Sequence, residues 1–349
     1  MNMRQIGCLI MVIALATAAF TRDPETIPKA AASSADEPLA KTLALDKAAA
    51  FLDSVTAAWV HEKKCASCHT TYPYLMARPA LGDPKAPTLL QMRTFLENRI
   101  TNWDRPGEDG LPEGSEGVTE VVATAATLAF HDAQSTKKLH PLTRKALDRM
   151  WTIQKASGVW DWNKHNLPPQ EYDDYYGAVY AAMGVGIAPD NYSTSDSAKE
   201  GLAKLRKYLK NTPPPNLHHR AWLLFASQRL EGLMTPAEQE KTIKDLLALQ
   251  REDGGWNLPS LGDWKRLNGK PNDPQAPSDG YATGLVVYIL RQTGLRKDSE
   301  PIKRGVKWLK SNQRESGRWF TRSVNADRAH YLTNAGTAYA VLALKACEP

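Results

Sequence analysis

Apolar positions along the chain fall into two kinds of segment that alternate. In the first kind they recur every three or four residues among Lys, Glu and Arg, the period of an amphipathic helix. Leu45–Trp59, Pro87–Arg99, Pro141–Ala156, Ser197–Leu209, Pro236–Leu249 and Glu300–Ser311 read this way. In the second kind apolar or small residues occupy almost every position, as in VTEVVATAATLAF at Val118–Phe130. Gly177–Ile187, Arg220–Leu230, Gly280–Leu290 and Ala335–Ala346 follow it, and Tyr72–Leu81 is a poorer copy. Helices apolar all round belong inside and amphipathic ones outside. The pattern predicts six helical hairpins, each an outer helix followed by an inner one.

A repeated motif marks the same units. Gln154 to Trp160, Gln250 to Trp256 and Gln313 to Trp319 all fit Q-x3-G-x-W, each at the end of a helical stretch, and degenerate copies keep the tryptophan at Trp59 and Trp103. A period of about fifty residues indicates repeated supersecondary units. The fourth unit departs from it, because a proline run from Lys210 to Pro215 follows its outer helix with no Gln or Trp. Six outer and six inner helices can close into an all-α (α/α)6 toroid. On these motifs the chain resembles the squalene–hopene cyclase and protein prenyltransferase superfamily over nearly all of its length after the N-terminal segment. That resemblance implies structural roles for Gln154, Trp160, Gln250, Trp256, Gln313 and Trp319.

The N-terminus changes the picture of where the protein works. Residues 1–20 carry one charge at Arg4, an apolar run from Ile6 to Leu15 and an A-x-A site at Ala16 to Ala18, the pattern of a secretory signal peptide. No stretch is long enough to span a bilayer. Residues 21–42 are rich in Ala, Ser, Pro and charge without hydrophobic period, so a mobile leader is expected, followed by one toroid domain over 43–349. A periplasmic or secreted location follows. The net charge of +6 is spread along the chain, which describes solvated faces and no nucleic-acid site.

The stretch that names a cofactor is Lys64-Cys65-Ala66-Ser67-Cys68-His69. Two thiols three residues apart can each form a thioether to a haem vinyl group, with the following imidazole beneath the iron, so C-x-x-C-H reads as covalent attachment of one haem c. A zinc half-site, a disulfide or redox pair, and chance compete with it. Zinc would need four ligands, and the only other cysteine after the N-terminal segment is Cys347, which reads as a small apolar side chain. Export supports the haem reading through the resemblance to c-type cytochromes.

Several outer-to-inner connections are long and polar: 104–117, 161–172, 257–278 and 320–333. In a closed ring they rim one mouth together with Cys65–His69, and long loops gathered at one end are where sites usually sit. Closure also brings the sixth unit beside the first. His330 is therefore expected near the haem, as sixth ligand or as acid/base on bound peroxide, with Arg328 stabilising negative charge; a surface or capping histidine is the plain alternative. His218 and His219 are second candidates, Met76 reads as packing, and His61, His131, His140 and His165 carry no special pattern. Glu171-Tyr172-Asp173-Asp174 is similar to the D-x-D-D motif of squalene–hopene cyclases, whose proton-donating position maps onto Asp173. Helix capping is the plain reading of Asp173 and of Asp279.

The reading drawn from the sequence is an exported monohaem c-type protein. Redox chemistry at the mouth is expected, peroxidase- or oxygenase-like, in a pocket lined by His330, Arg328, Asp173, Tyr175 and Tyr281. The size of the ring favours an enzyme over a bare electron carrier. An electron-transfer cytochrome or haem-based sensor is the alternative, and a cyclase using Asp173 comes third. A redox partner protein and a small apolar substrate are the partners expected.

Overall fold

The computed structural model describes residues 31–105, 107 and 110–348. The signal-peptide assignment and the first part of the leader lie outside them. Among the described residues twelve α-helices follow one another in pairs. The outer set is α1 (Leu45–Lys63), α3 (Pro87–Asn102), α5 (Pro141–Thr152), α7 (Asp196–Asn211), α9 (Pro236–Ala248) and α11 (Glu300–Ser311). The inner set is α2 (Thr71–Ala77), α4 (Gly114–Gln134), α6 (Asp174–Ile187), α8 (Leu217–Ser227), α10 (Gly280–Gln292) and α12 (Leu332–Ala346). Each inner helix touches the next, and α12 returns to α2, so the (α/α)6 toroid is closed. The poorest inner segment gives the shortest helix: after Ala77 the chain tightens to a 3₁₀ turn over Arg78–Leu81, with Pro79 inside it and Gly82 ending it in the left-handed region.

The repeated motif closes the ring physically. Each glutamine amide donates to the carbonyl of its own glycine and to a carbonyl at or near the start of the next outer helix. Gln154 reaches Gly158 and Gly201, both at 3.0 Å, and Gln250 reaches Gly254 at 2.9 Å and Pro301 at 2.8 Å. Gln313 bridges the seam between last and first units, donating to Gly317 O at 2.9 Å and Ala44 O at 2.8 Å and accepting from Ala44 N at 2.7 Å. The tryptophans cap their own outer helices: Trp160, Trp256 and Trp319 are fully buried, and each indole N–H donates to a terminal carbonyl, of Met150, Leu246 and Leu309. Gln313→Ala removes three hydrogen bonds at the seam and is expected to cost about 2–3 kcal/mol. Gln313→Glu, which turns acceptors toward two carbonyls, should cost at least as much; a urea midpoint for either variant equal to wild type would contradict this role.

The middle of the ring is filled by aromatic side chains that meet across it. Phe130 of α4 packs on Tyr288 of α10, Trp222 of α8 on Tyr339 of α12, and the Tyr180 hydroxyl of α6 lies 3.4 Å from the Met76 sulfur of α2. The packing expected of Met76 is what the structure gives it, with no exposure at all. A ligand therefore meets this toroid at an end and does not thread it.

The leader differs from expectation where it is described. Ala40 N–H donates to Gln313 O, Glu315 N–H donates to Pro38 O, and Glu37 pairs with Arg318, so residues 31–40 lie along the turn of the sixth unit. Arg318 is almost wholly buried and also donates to Ala31 O and Ala32 O. Among the described residues no helix is long and apolar enough to cross a membrane.

Candidate functional site

The first turns of the inner helices line the mouth, and their caps place its side chains. Asp173 caps α6, accepting from Tyr176 N–H at 2.9 Å. Asn216 caps α8, accepting from His219 N–H at 3.0 Å. Asp279 caps α10 with one oxygen on Ala282 N–H and the other on Leu258 N–H. Such oxygens satisfy backbone donors that have no partner inside the helix. Burial pushes the Asp279 carboxyl up to about 7 despite these bonds. The capping expected of Asp173 and Asp279 is present at both.

Asp173 does more than cap. His219, fully buried, lies between two oxygens, its Nδ1 2.6 Å from Asn216 Oδ1 and its Nε2 3.3 Å from Asp173 Oδ1. Burial works against an ionised Asp173, but the His219 contact and the Tyr176 and Tyr175 backbone N–H groups outweigh it and hold the carboxyl below its usual range. A depressed carboxylate contributes stability above its unfolded pKa, about 3.9, that is lost as pH falls through the lower folded value. Asp173→Asn should therefore cost about 1–3 kcal/mol near neutrality. Its melting temperature should converge on that of wild type as pH falls past the unfolded value and through the lower folded one. A difference that stays constant into acid would rule the pairing out.

Beside this pair lies a second, wholly enclosed one. The Tyr281 hydroxyl lies 3.0 Å from His218 Nε2 and accepts from Gln170 Nε2 at 3.2 Å. Both rings have no exposure, and burial holds His218 well below the usual imidazole range, hence neutral. Tyr175 is also buried, packed against Tyr208 and His219, and its hydroxyl has no hydrogen-bond partner.

Glu171 stands on the opposite flank of Tyr172 from Asp173. Paired backbone hydrogen bonds between Leu167 and Glu171 fold the preceding loop into a tight turn. Glu171 Oε2 is 3.3 Å from His165 Nδ1, whose Nε2 is 3.4 Å from Glu116. Burial raises the Glu171 carboxyl, and the charge of His165 and its contacts with Cys68 and His165 offset this only in part. Two carboxyls two residues apart are thus shifted in opposite directions. Tyr172 between them is 37% exposed and Leu167 is 38% exposed, a half-open apolar rim. Nothing in the sequence marks His165 as a partner for Glu171; only the folded loop brings them together.

Next to Glu171 on the rim, burial raises the thiols of Cys65 and Cys68, neither of which is in a disulfide, and lowers His69 to about 4. The His69 ring lies edge-to-face with Trp59, 4.7 Å between centroids, and stacks on Tyr331 at 5.0 Å and 9°. Cys347, unpaired, caps the last helix.

The sequence placed His330 at this position, and the structure gives it to Tyr331. His330 Nδ1 accepts from Ser323 N–H at 3.2 Å, its ring meets Phe320, and it lines a separate cleft of about 740 Å³ with Arg266, Arg322 and Asp327. Arg328 is exposed. The single pocket expected of His330, Arg328, Asp173, Tyr175 and Tyr281 is not formed: the first two lie on the outer loop, Tyr175 and Tyr281 are sealed in the packing, and Asp173 alone is partly open. Among the described residues no group of three His, Cys, Asp or Glu is arranged to hold a metal ion.

No protein-family model and no curated protein sequence matches the chain. Solved structures do. A polysaccharide lyase aligns with TM-score 0.54 and 11% identity over 86% of this chain and 96% of that one. A wild-type glycosidase aligns with TM-score 0.47 and 11% identity over 86% and 97%. A possible member of the GH105 family from Klebsiella pneumoniae aligns with TM-score 0.35 and 13% identity over 84% and 74%.

The polysaccharide lyase corrects the functional expectation. Ring size does not favour a haem oxidoreductase, nor its alternative of an electron carrier or sensor, since that lyase is built on a ring of the same kind. A toroid of this size therefore does not point to redox chemistry, and the distal His330–Arg328 pair on which the peroxidase- or oxygenase-like reading depended is not assembled. The cyclase alternative is corrected too, because an acid that protonates an alkene needs a raised pKa and that of Asp173 is lowered. At 11% identity the likeness is one of architecture: the chain is an α/α toroid of the kind seen in a polysaccharide lyase.

Proposed function

We propose that the mouth cleaves glycosidic bonds, with Glu171 as general acid and Asp173 as the ionised base. The observation that carries this reading is the pair of carboxyls two residues apart with opposite pKa shifts, one raised by burial and one held down by His219. Environments that push two titratable groups apart define an acid and a base. In this mechanism Glu171 gives its proton to the departing glycosidic oxygen, and Asp173 takes a proton from the water that attacks the anomeric carbon. His219 then orients Asp173 through the 3.3 Å contact and stays clear of the substrate, since it is buried. Tyr172 offers a ring face to the C–H side of a sugar.

The lyase neighbour supports the substrate class, a polysaccharide, and the paired carboxyls favour hydrolysis over elimination. A location outside the cytoplasm, read from residues 1–20, suits an extracellular glycan. Kinship of the scaffold with the cyclase and prenyltransferase toroids rests on the three Q-x3-G-x-W motifs. The test is incubation of the protein with a panel of neutral and uronate-containing polysaccharides. New reducing ends without the ultraviolet absorbance of an unsaturated uronate are expected; the unsaturated product, or no cleavage of any member, would overturn the assignment.

A further inference from the structure

Glycan cleavage leaves the Cys65–His69 segment without a role, and its geometry is that of a covalent tether. Lys64 ends α1 in the left-handed region, donating its N–H to Val60 O, and so turns the chain out at Cys65. Ser67 then fixes the loop from both ends: its carbonyl accepts from Thr70 and Tyr72 N–H, and its hydroxyl accepts from His69 N–H at 3.2 Å. Cys65 is an exposed residue and Cys68 a partly exposed one whose thiol meets Glu171, and the two are not joined to each other.

The imidazole is prepared separately. His69 Nδ1 lies 2.9 Å from Thr70 Oγ1, which is itself held by Asn334 Nδ2 at 3.0 Å. In the tautomer whose Nδ1–H donates to Thr70, the lone pair sits on Nε2, which makes no hydrogen bond among the described residues. Metal-bound histidines are oriented by such a contact on the other ring nitrogen. Trp59 and Tyr331 hold the ring from edge and face. The Trp59 indole N–H is buried and faces the Cys65 thiol, so the same ring that edges His69 also positions the first cysteine.

We propose that Cys65 and Cys68 each form a thioether to one haem and that His69 Nε2 is an axial ligand of its iron. In each bond the thiol adds across a vinyl group: sulfur joins the carbon next to the porphyrin ring, the proton goes to the terminal carbon, and nothing is oxidised or lost. The attachment assigns no reaction at the iron, and because Cys68 touches Glu171 it would set the haem beside the proposed general acid. Zinc fits this segment less well, because no third protein ligand stands with the two thiols among the described residues.

The experiment is intact-mass spectrometry and an absorption spectrum of the full-length protein made in a bacterial host with periplasmic haem-attachment machinery. The expected result is a polypeptide heavier by one haem that survives acidic organic extraction, with a c-type reduced spectrum in alkaline pyridine. Cys65→Ser/Cys68→Ser should lose that mass with an unchanged helical circular dichroism spectrum, and His69→Ala should change the visible spectrum of whatever haem remains attached. A bare polypeptide mass, a mass lower by two hydrogens from a disulfide, or haem that extracts into acid solvent would each overturn the proposal. Since none of these readouts uses a polysaccharide, failure here leaves the cleavage assay untouched, and the reverse also holds.

Discussion

Gly317→Ala is expected to cost about 3–5 kcal/mol, a large share of the stability of an ordinary domain. Gly317 is the glycine of the third Q-x3-G-x-W motif and has φ of +94°, where an L side chain is strained by about 1–3 kcal/mol. A Cβ there would also stand 2.3 Å from both the carbonyl carbon and oxygen of Lys47 and 2.6 Å from Ala48 N. Those are backbone atoms of α1, so the new methyl cannot be accommodated by a rotamer change; the sixth unit must move off the first. Gly294→Ala is the matched control, with φ of +86° and open space around the Cβ, and isolates the strain from the clash. Urea midpoints should place Gly317→Ala at least 2 kcal/mol below Gly294→Ala, about the cost of overpacking a close contact. Equal midpoints would mean that the seam does not hold the ring.

Much of this architecture is legible in the chain because its causes are local and repeated. An outer helix such as Glu300–Ser311 announces itself by a buried Ile302, Gly305, Trp308 and Leu309 set among lysines and arginine. The motif glycines are legible for the same reason, since each sits where two backbones nearly touch. What the sequence could not show is which surfaces meet across the ring. Inner helices apolar on every side do not reveal that Phe130 will find Tyr288, or that the axis will be plugged and not hollow. The mouth shows the limit most sharply. Ring closure does bring the 327–331 stretch to His69, as expected, but Ala329 and His330 both adopt positive φ, at 60° and 46°. That twist sends His330 to Ser323 and leaves Tyr331 on the His69 ring. Neighbours in sequence thus face different clefts, and no pattern of residue types encodes the difference. The pairing of Glu37 with Arg318 was hidden similarly, because it joins a segment without hydrophobic period to a turn far along the chain.

Glu171→Gln is expected to lower the rate of polysaccharide cleavage by about 10²–10⁴-fold, the usual contribution of a positioned general acid. The substitution keeps the side-chain shape and its reach toward His165, so the fold and substrate affinity should change little. An acid with a raised pKa and a base with a lowered one give a bell-shaped pH profile. Its acid limb reports protonation of Asp173, below the ordinary carboxylate range, and its alkaline limb reports loss of the proton from Glu171, above it. In Glu171→Gln the alkaline limb should disappear while the acid limb stays. Asp173→Asn should do the opposite, removing the acid limb along with most of the rate. His165→Ala separates position from chemistry: the positive charge of His165 helps to hold down the Glu171 carboxyl, so removing it should move the alkaline limb upward without abolishing cleavage. Aryl glycosides with good leaving groups supply the last check. They need little protonation at the departing oxygen, so Glu171→Gln should lose far less activity on them than on the natural glycosidic bond, whereas Asp173→Asn should lose as much on both. A profile of unchanged shape in Glu171→Gln, or equal losses on the two kinds of substrate, would remove Glu171 from the reaction and leave its raised pKa as a consequence of burial alone.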